Sequence, residues 1–266
     1  MSQAKTLNVY PSVLAGQARH GLLPFMQFMW RNHQPLEIGT HTRAICHELT
    51  NAAMSWMSGI STHLIIEAPI RHGKSSIVSR ALPAWFAGYC GEQCPAVEMS
   101  GCDATLVHDH LRDVAAIAGS EKYKTLFPGA SGQINAAALC RDTMSKPYHL
   151  GIVDDYCRSR EEAFSPEYRE KVWHSFLNDF LPRRKSPKHV VVVCATRWHP
   201  DDLIGRIHAE MERDAEFPRF RTFSFPACNA DDSYLFPEMY DREWYEAQRL
   251  VLGPEMASAL LDCNPV

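Results

Sequence analysis

The clearest candidate for chemistry in this sequence is the segment EAPIRHGKSSIVSR at residues 67–80, in which Gly73, Lys74 and Ser75 are consecutive. In phosphate-binding loops of the pattern G-x-x-x-x-G-K-[ST], the lysine reaches the β- and γ-phosphates and the hydroxyl holds Mg²⁺. Ala68 stands where this pattern begins with glycine, and a proline follows it. The segment therefore predicts either a nucleotide site of an unusual type or a solvated loop before an ordinary helix.

The sequence on both sides of this segment favours the nucleotide site. HLIIE, residues 63–67, is a short apolar run typical of a strand, and Ile77, Val78, Ala81 and Leu82 follow at helical spacing. The motif requires strand, loop and helix in this order, because backbone N–H groups at the helix N-terminus favour phosphate there. The predicted nucleotide-binding residues are Ala68, Pro69, Ile70, Arg71, His72, Gly73, Lys74, Ser75 and Ser76.

Two adjacent carboxylates further along the chain supply the second half of such a site. LGIVDD, residues 150–155, is an apolar run that ends in Asp154 and Asp155. Nucleotide hydrolysis needs a metal ligand and a group that positions water. We expect Asp154 to reach Mg²⁺, together with Ser75, and Asp155 to orient or deprotonate the attacking water. The alternative is a strand followed by an acidic turn.

From residue 63 onward, strand patterns alternate with helical patterns. Strands are predicted at 63–67, 96–100, 148–155, 188–196 and 220–227, and helices at 22–32, 41–57, 103–119, 165–181, 200–214 and 242–252. Ser165 and Asp241 are the expected N-caps of two of these helices. Four consecutive valines from Val190 suit a strand that is buried on both faces. Such alternation predicts an α/β fold with a mainly parallel central sheet flanked by helices, and ligands beyond the carboxyl ends of its strands.

Composition places the chain among ordinary globular proteins. It has 266 residues and a net charge of −4, so it lacks an overall basic signature for nucleic-acid binding. It contains no apolar run of membrane-spanning length and no signal peptide, so we expect a cytoplasmic protein with reduced cysteines. The loose spacing of Cys90, Cys94 and Cys102, with His108 and His110 nearby, favours core or surface thiols over a zinc site.

The motifs together resemble the ATPase domain of the large terminase subunit of tailed bacteriophages. The phosphate loop of that family is commonly PPRHGKS, and this chain has APIRHGKS. The resemblance extends through GIVDDY, the segment EAFSPEYREKVWHSFLNDFLPR and the stretch TRWHPDDLIGRI, which is the most specific match. It continues to ALLDCNPV at the end of the chain.

This resemblance implies an additional-strand, RecA-like P-loop NTPase fold. The strand that ends at Thr196 would then lie between the strands that carry the phosphate loop and the two aspartates. Cys194-Ala195-Thr196 matches the coupling motif of the family, which implies that Thr196 senses the γ-phosphate; a hydroxyl that caps a strand end is the alternative. Arg71 matches an arginine that contacts phosphate in relatives.

The chain departs from the family pattern at two places. Relatives usually have glutamate after the first aspartate, and here Asp155 is one methylene shorter, so Glu161 or Glu162 remains an alternative base. A segment GRGAD in relatives carries an arginine that acts on the neighbouring subunit's ATP. Here Lys146 stands at that place, and Arg141 is the second candidate.

The resemblance implies an ATPase with ATP and Mg²⁺ as cofactors, which drives double-stranded viral DNA into a procapsid in the host cytoplasm. Its implied partners are that DNA, the portal protein, the small terminase subunit and further copies of the chain in a ring, with a monomer in solution and no membrane. We expect an N-terminal helical segment at residues 1–60, an ATPase core at 61–266 and no nuclease domain in this chain. The alternatives are another P-loop enzyme, such as a small-molecule kinase, and a nucleotide-binding module without turnover.

Contacts with DNA would come from local basic groups. The densest run consists of Arg183, Arg184, Lys185 and Lys188. A solvated turn between a helix and a strand is the alternative interpretation of this run.

Overall fold

A parallel sheet lies at the centre of the fold. The computed structural model describes residues 11–30, 36–140, 146–185, 187–229 and 231–266. Within these ranges the strands are β1 Thr62–Glu67, β2 Ala96–Gly101, β3 Gln133–Ala138, β4 Leu150–Asp154, β5 Val190–Ala195 and β6 Arg221–Ser224. They form one sheet in the order β3-β2-β4-β5-β1-β6, and every neighbouring pair is parallel. This confirms the predicted α/β class.

The position of β5 confirms the additional-strand topology. It pairs with β4 on one side and with β1 on the other. Its valines are buried on both faces, as the run of four predicted. Val190 and Val192 pack into one hydrophobic core, and Val191 and Val193 pack into the core on the opposite face.

Helices cover both faces of the sheet. They are α1 Pro11–His20, α2 Leu22–Trp30, α3 Thr40–Met57, α4 Leu82–Tyr89, α5 Ala104–Gly119, α6 Glu121–Leu126, α7 Arg160–Phe164, α8 Pro166–Ser175, α9 Leu203–Arg213 and α10 Arg242–Leu260. Helices α2, α3, α4 and α5 contribute to one core, and α8 and α9 contribute to the other. No helix in the described ranges is long and apolar enough to cross a membrane.

The predicted helix N-caps form hydrogen bonds that fix where the helices begin. The Ser165 hydroxyl accepts from Tyr168 N at 3.1 Å, and the Asp241 carboxylate accepts from Trp244 N at 2.9 Å. Each bond satisfies an N–H group that has no partner within the helix. Helix α10 runs past the predicted end to Leu260, with a kink at Gly253.

The helix that follows the phosphate loop contains a π-helical turn at Ser76–Ala81 and continues through Pro83 into α4. Leu82 N donates to Ile77 O, five residues earlier. Proline lacks an N–H group and clashes with the carbonyl four residues earlier in a regular helix. The wider turn just before Pro83 accommodates this residue, so the helix continues instead of ending there.

Candidate nucleotide-binding site

The carboxyl ends of β1, β4 and β5 meet at one cavity of about 210 Å³. Because these three strands are adjacent and parallel, the segments that follow them come together. The cavity is lined by Ile70, Arg71, His72, Gly73, Lys74, Ser75, Ser76, Asp155 and Thr196. The structure thus brings the predicted loop together with the predicted aspartate and threonine.

The loop backbone shows why glycine is needed at one end and not at the other. Gly73 has φ +76°, a left-handed conformation, and a Cβ added there would have no protein atom within 4 Å. The requirement at this position is therefore conformational. Ala68 lies outside the left-handed region, is fully buried, and its N–H donates to Ala195 O at 3.4 Å. It extends the contact between β1 and β5, where a small side chain fits. Arg71 also has positive φ, at 63°.

Lys74 and Thr196 join the loop to β5. The Lys74 Nζ group donates to Thr196 Oγ1 at 2.7 Å and to Pro69 O at 2.9 Å. The Thr196 hydroxyl donates to Ala68 O at 3.3 Å, and its backbone N–H donates to Asp155 Oδ1 at 3.2 Å. Thr196 therefore contacts the segments that follow β1 and β4 at once. A change in either segment acts directly on β5.

Asp154 does not line the cavity itself, and one of its carboxylate oxygens remains available as an acceptor. Its Oδ2 accepts from Ser79 Oγ at 2.6 Å, while its buried Oδ1 has no hydrogen-bond partner among the described residues. Burial raises the pKa of this carboxyl, and hydrogen bonds from Ser79 and Ser75 and the charge of Lys74 oppose the rise. A carboxylate oxygen next to a serine hydroxyl suits Mg²⁺. Ser75 and Asp154 therefore fit a magnesium ion.

Asp155 is the first residue after β4 and has a left-handed backbone conformation, with φ +46°. Its N–H donates to Cys194 O at 2.9 Å and its carbonyl accepts from Cys102 N at 3.0 Å. Non-glycine residues in this region are uncommon and are found at functional sites. Burial, and next the charge of Asp154, raise the pKa of Asp155 to about 6. Above that pH the group is a carboxylate that can accept a proton.

The alternative bases Glu161 and Glu162, and the predicted cation Lys146, do not line this cavity. Glu161 is exposed on α7, and Glu162 accepts from Arg158 Nε at 2.7 Å. Lys146 is exposed and donates from Nζ to Asn135 Oδ1 at 3.0 Å, on the edge strand β3. None of these side chains lines the cavity of about 210 Å³. Arg141 lies outside the described residues.

A buried hydrogen-bond network that the sequence did not reveal holds the loop from the C-terminal segment. His72 Nδ1 lies 2.7 Å from Ile70 O, and its Nε2 lies 2.8 Å from Tyr245 Oη. Tyr245 Oη also accepts from Phe236 N at 3.2 Å, and His41 Nε2 donates to His72 O at 3.0 Å. A carbonyl only accepts, so His72 carries a proton on Nδ1, and a neutral ring accepts from Tyr245 on Nε2. A neutral His72 thus satisfies both contacts.

His72 should make the protein less stable in acid. Burial lowers its pKa from 6.5 to about 4. A histidine with a lowered folded-state pKa loses stabilisation as the pH falls below its unfolded value, because the unfolded chain binds the proton more tightly. Between about pH 8 and about pH 5, His72 alone should lower the free energy of unfolding by about 2 kcal/mol. In urea unfolding, His72→Gln should reduce this pH dependence by that amount.

The matched control is His47→Gln, which removes an exposed histidine of α3. It should leave the pH dependence of wild type intact. An equal pH dependence in His72→Gln and wild type would contradict a buried neutral imidazole at position 72.

A second buried cluster explains part of the stretch TRWHPDDL. Arg197 donates to Asp202 Oδ2 and to Glu67 Oε1, each at 2.8 Å, and the three side chains are buried. Asp202 also accepts from Gly205 N at 3.0 Å and so caps α9. A Cβ at Gly205 would lie 1.8 Å from the carbonyl oxygen of Pro200, so only glycine fits. Arg197 therefore ties the end of β1 to the start of α9.

The basic run lies near the amino ends of the strands, just before β5, whereas the candidate nucleotide site lies at their carboxyl ends. The backbone of Arg184 pairs with that of Tyr148 in an isolated parallel β-bridge, just before β4. Lys188 lies over the Trp56 ring, with Nζ 4.1 Å from the ring centroid. Arg183 and Lys185 flank Arg184 along the same segment. These four residues do not line the candidate nucleotide site.

The cysteines occupy both core and surface positions. Cys90 is buried, and burial raises the pKa of its thiol to about 12. Across the described ranges, no three histidine, cysteine or acidic side chains converge in a way that would hold a metal ion.

The parallel sheet, the extra central strand and the loop at its carboxyl edge define a P-loop NTPase-like fold. A solved structure titled as the HK97 bacteriophage large terminase has the same fold, with a TM-score of 0.55 and 11% sequence identity. The match covers 95% of this chain and 54% of that one, so this chain spans about half the length of its structural neighbour. No family model and no curated protein matches the sequence. The chain thus has a large-terminase-like fold.

Proposed function

We propose that this chain hydrolyses ATP and uses the energy to move viral double-stranded DNA into a procapsid. The observation that carries the proposal is the convergence of Lys74, Asp155 and Thr196 on one cavity at the end of a phosphate-type loop. The fold shared with a phage large terminase supports the packaging role. The proposed core runs from residue 61 to 266, with the preceding helices packed on it.

Binding is assigned to the loop, residues 68–76. Its backbone N–H groups and the start of the following helix would hold the phosphates, and Arg71 adds a positive charge at the cavity. Lys74 would meet the β- and γ-phosphates, where negative charge develops. Ser75 and Asp154 would hold Mg²⁺, which neutralises phosphate charge when bound.

Turnover is assigned to Asp155 and Thr196. Asp155 would orient the attacking water and take its proton. Thr196 bonds to the loop through Lys74 and to Asp155 through its own N–H group. Loss of the γ-phosphate would change both contacts, so Thr196 would shift and transmit that change to β5.

Phosphate release by the chain assembled on the portal protein, measured with and without double-stranded DNA, tests the proposal against its alternatives. A DNA-translocating ATPase releases phosphate from ATP and Mg²⁺, and does so faster with DNA. A small-molecule kinase would release little phosphate, because it transfers the γ-phosphoryl group to an acceptor molecule and leaves ADP. A binding module without turnover would bind the nucleotide and release none. Either of the last two results would overturn the proposal.

The proposed assembly is a homo-oligomeric ring on the portal protein, supplied with DNA through the small terminase subunit in the host cytoplasm. The free chain would be a monomer with low ATPase activity, because a cation from a neighbour completes the site. Lys146 is the proposed cation. Its exposure on the edge-strand side, outside its own nucleotide cavity, supports an action on a second subunit.

Mixing two inactive variants should restore activity if Lys146 acts on a neighbour. Lys146→Ala lacks the cation but keeps its loop, and Lys74→Ala lacks the loop lysine but keeps its cation. A mixed ring contains some sites with both groups, so phosphate release on the portal should exceed that of either variant alone. If mixed rings form without any recovery, Lys146 is not the cation.

A further inference from the structure

A basic surface lies at the amino edge of the sheet, opposite the candidate nucleotide site. Two adjoining cavities of about 350 and 430 Å³ share Ser61 and His63 in their linings. The residues that define this amino-edge surface are His63, Arg184, His189, Arg219 and Arg221. Arg184 belongs to the basic run, whereas the other four were not singled out by the sequence.

The charges of this surface are only partly neutralised. Arg184 Nε donates to Leu181 O at 2.7 Å, and Arg219 donates to Ala215 O at 3.3 Å. Both acceptors are uncharged carbonyl groups, and neither arginine forms an ion pair within the described ranges. Arg221 pairs with Glu48 at 3.3 Å and remains more than half exposed. The surface is therefore positive, with donor groups that an anion can reach.

Two histidines lie between these arginines. His63 Nε2 and His189 Nε2 lie 3.0 Å apart, so one ring donates to the other. Ser61 Oγ lies 3.4 Å from His189 Nδ1. Burial, His189 and Arg184 lower the pKa of His63 to about 4. A bound anion would offset that positive charge and favour protonated imidazoles.

We propose that the amino-edge surface binds the phosphodiester backbone of a DNA duplex. This inference deepens the proposed function and takes the identity of the partner from it. Arginine donors suit phosphate oxygens, and contacts of this kind are independent of sequence. Single strands bind mainly by base stacking on exposed aromatic rings, and no Phe, Tyr or Trp side chain of the described residues lines the two cavities. The lining therefore favours a duplex.

This location also connects DNA to the nucleotide. Strand β1 carries His63 near its start and leads into the phosphate loop, and β5 follows His189 and leads to Thr196. Each strand has six residues and therefore spans about 20 Å. A shift at either end of these buried strands would be carried to the other end.

Fluorescence anisotropy with a labelled duplex and the full chain tests the proposal in the absence of nucleotide. The double variant Arg219→Gln, Arg221→Gln should weaken binding on the order of tenfold near 0.1 M salt, and should lower the slope of log affinity against log salt by about 1 to 2. The matched control is Arg213→Gln, Arg242→Gln, which removes two exposed arginines that pair with carboxylates elsewhere. Equal losses in both double variants, or no loss in either, would overturn the proposal.

A second readout separates DNA from free phosphate and does not depend on a folded double variant. The NMR signals of His63 and His189 in the wild-type chain should shift on addition of duplex and stay in place with inorganic phosphate at the same phosphate concentration. Equal shifts with phosphate alone would show that the surface binds a small anion and not specifically a duplex, and would overturn the proposal. The absence of any shift would overturn it as well. Because no nucleotide is present, failure of the proposed ATP hydrolysis leaves these outcomes unchanged.

Discussion

Replacing Lys74 by alanine should lower ATP hydrolysis by at least about a hundredfold, the usual cost of losing one preorganised contact to transition-state charge. Lys74 is buried, and its Nζ group lies at the cavity in contact with Thr196 Oγ1 and Pro69 O. Those partners are uncharged, so the ammonium group is free to form an ion pair with phosphate. The measurement is steady-state phosphate release at saturating ATP and Mg²⁺ by the chain assembled on the portal protein, with and without DNA.

The fold of this variant should survive, because the charge of Lys74 opposes the raised pKa of Asp154 and Asp155, so its loss favours the protonated forms of these buried carboxyls. Circular dichroism and thermal unfolding check this. Lys124→Ala is the matched control, since Lys124 is exposed on α6 and pairs with Glu121. A Lys74→Ala rate within a factor of about 2 of the wild-type rate would remove the phosphate-loop assignment, because such a contact normally contributes several kcal/mol.

The local part of this site could be predicted from sequence because its determinants are contiguous. The order of strand, loop and helix follows from apolar spacing, and Gly73 follows from a backbone conformation that glycine adopts without strain. The reason why alanine can replace glycine at position 68 is also local, since this residue extends β1 by one more hydrogen bond to β5. No residue pattern in the sequence indicated the left-handed conformation of Arg71, because it depends on the path of the whole loop.

Contacts between distant residues could not be predicted from sequence. Tyr245 reaches His72 across 173 positions, and Arg197 reaches Glu67 across 130. Each side chain alone resembles many ordinary core or surface residues. Only the packing of α10 and α9 against the end of β1 brings these groups together.

Weak local patterns account for the elements that were missed. Strand β3, Gln133–Ala138, is rich in alanine, which has little preference for strands, and it forms through backbone pairing with β2 at the sheet edge. Helices α6 and α7 are short, so their apolar periodicity is not resolved over a few residues. The place of β5 between β4 and β1 was nevertheless correct, but it was implied by the family resemblance, whereas the four valines indicated only a strand that is buried on both faces.

The two adjacent aspartates should separate binding from turnover. Asp154→Asn should weaken the binding of ATP that depends on Mg²⁺, because it removes the charge next to Ser75 that would hold the metal. Asp155→Asn should leave binding close to wild type and lower turnover by about 10²- to 10⁴-fold, the usual contribution of a general base. Asparagine keeps an oxygen that can accept from Thr196 N, so the local geometry is retained while the proton acceptor is lost.

Glu162→Gln is the informative control, because it changes the alternative base without altering the cavity. Its carboxylate bonds to Arg158 and does not line the cavity, so turnover should stay near wild type. Mg²⁺-dependent nucleotide binding and phosphate release are measured on all three variants. If Asp155→Asn still hydrolyses ATP while Glu162→Gln does not, the base has been assigned to the wrong carboxylate. In that case α7 must move toward the phosphate during the reaction, because its carboxylate lies outside the cavity in the structure described.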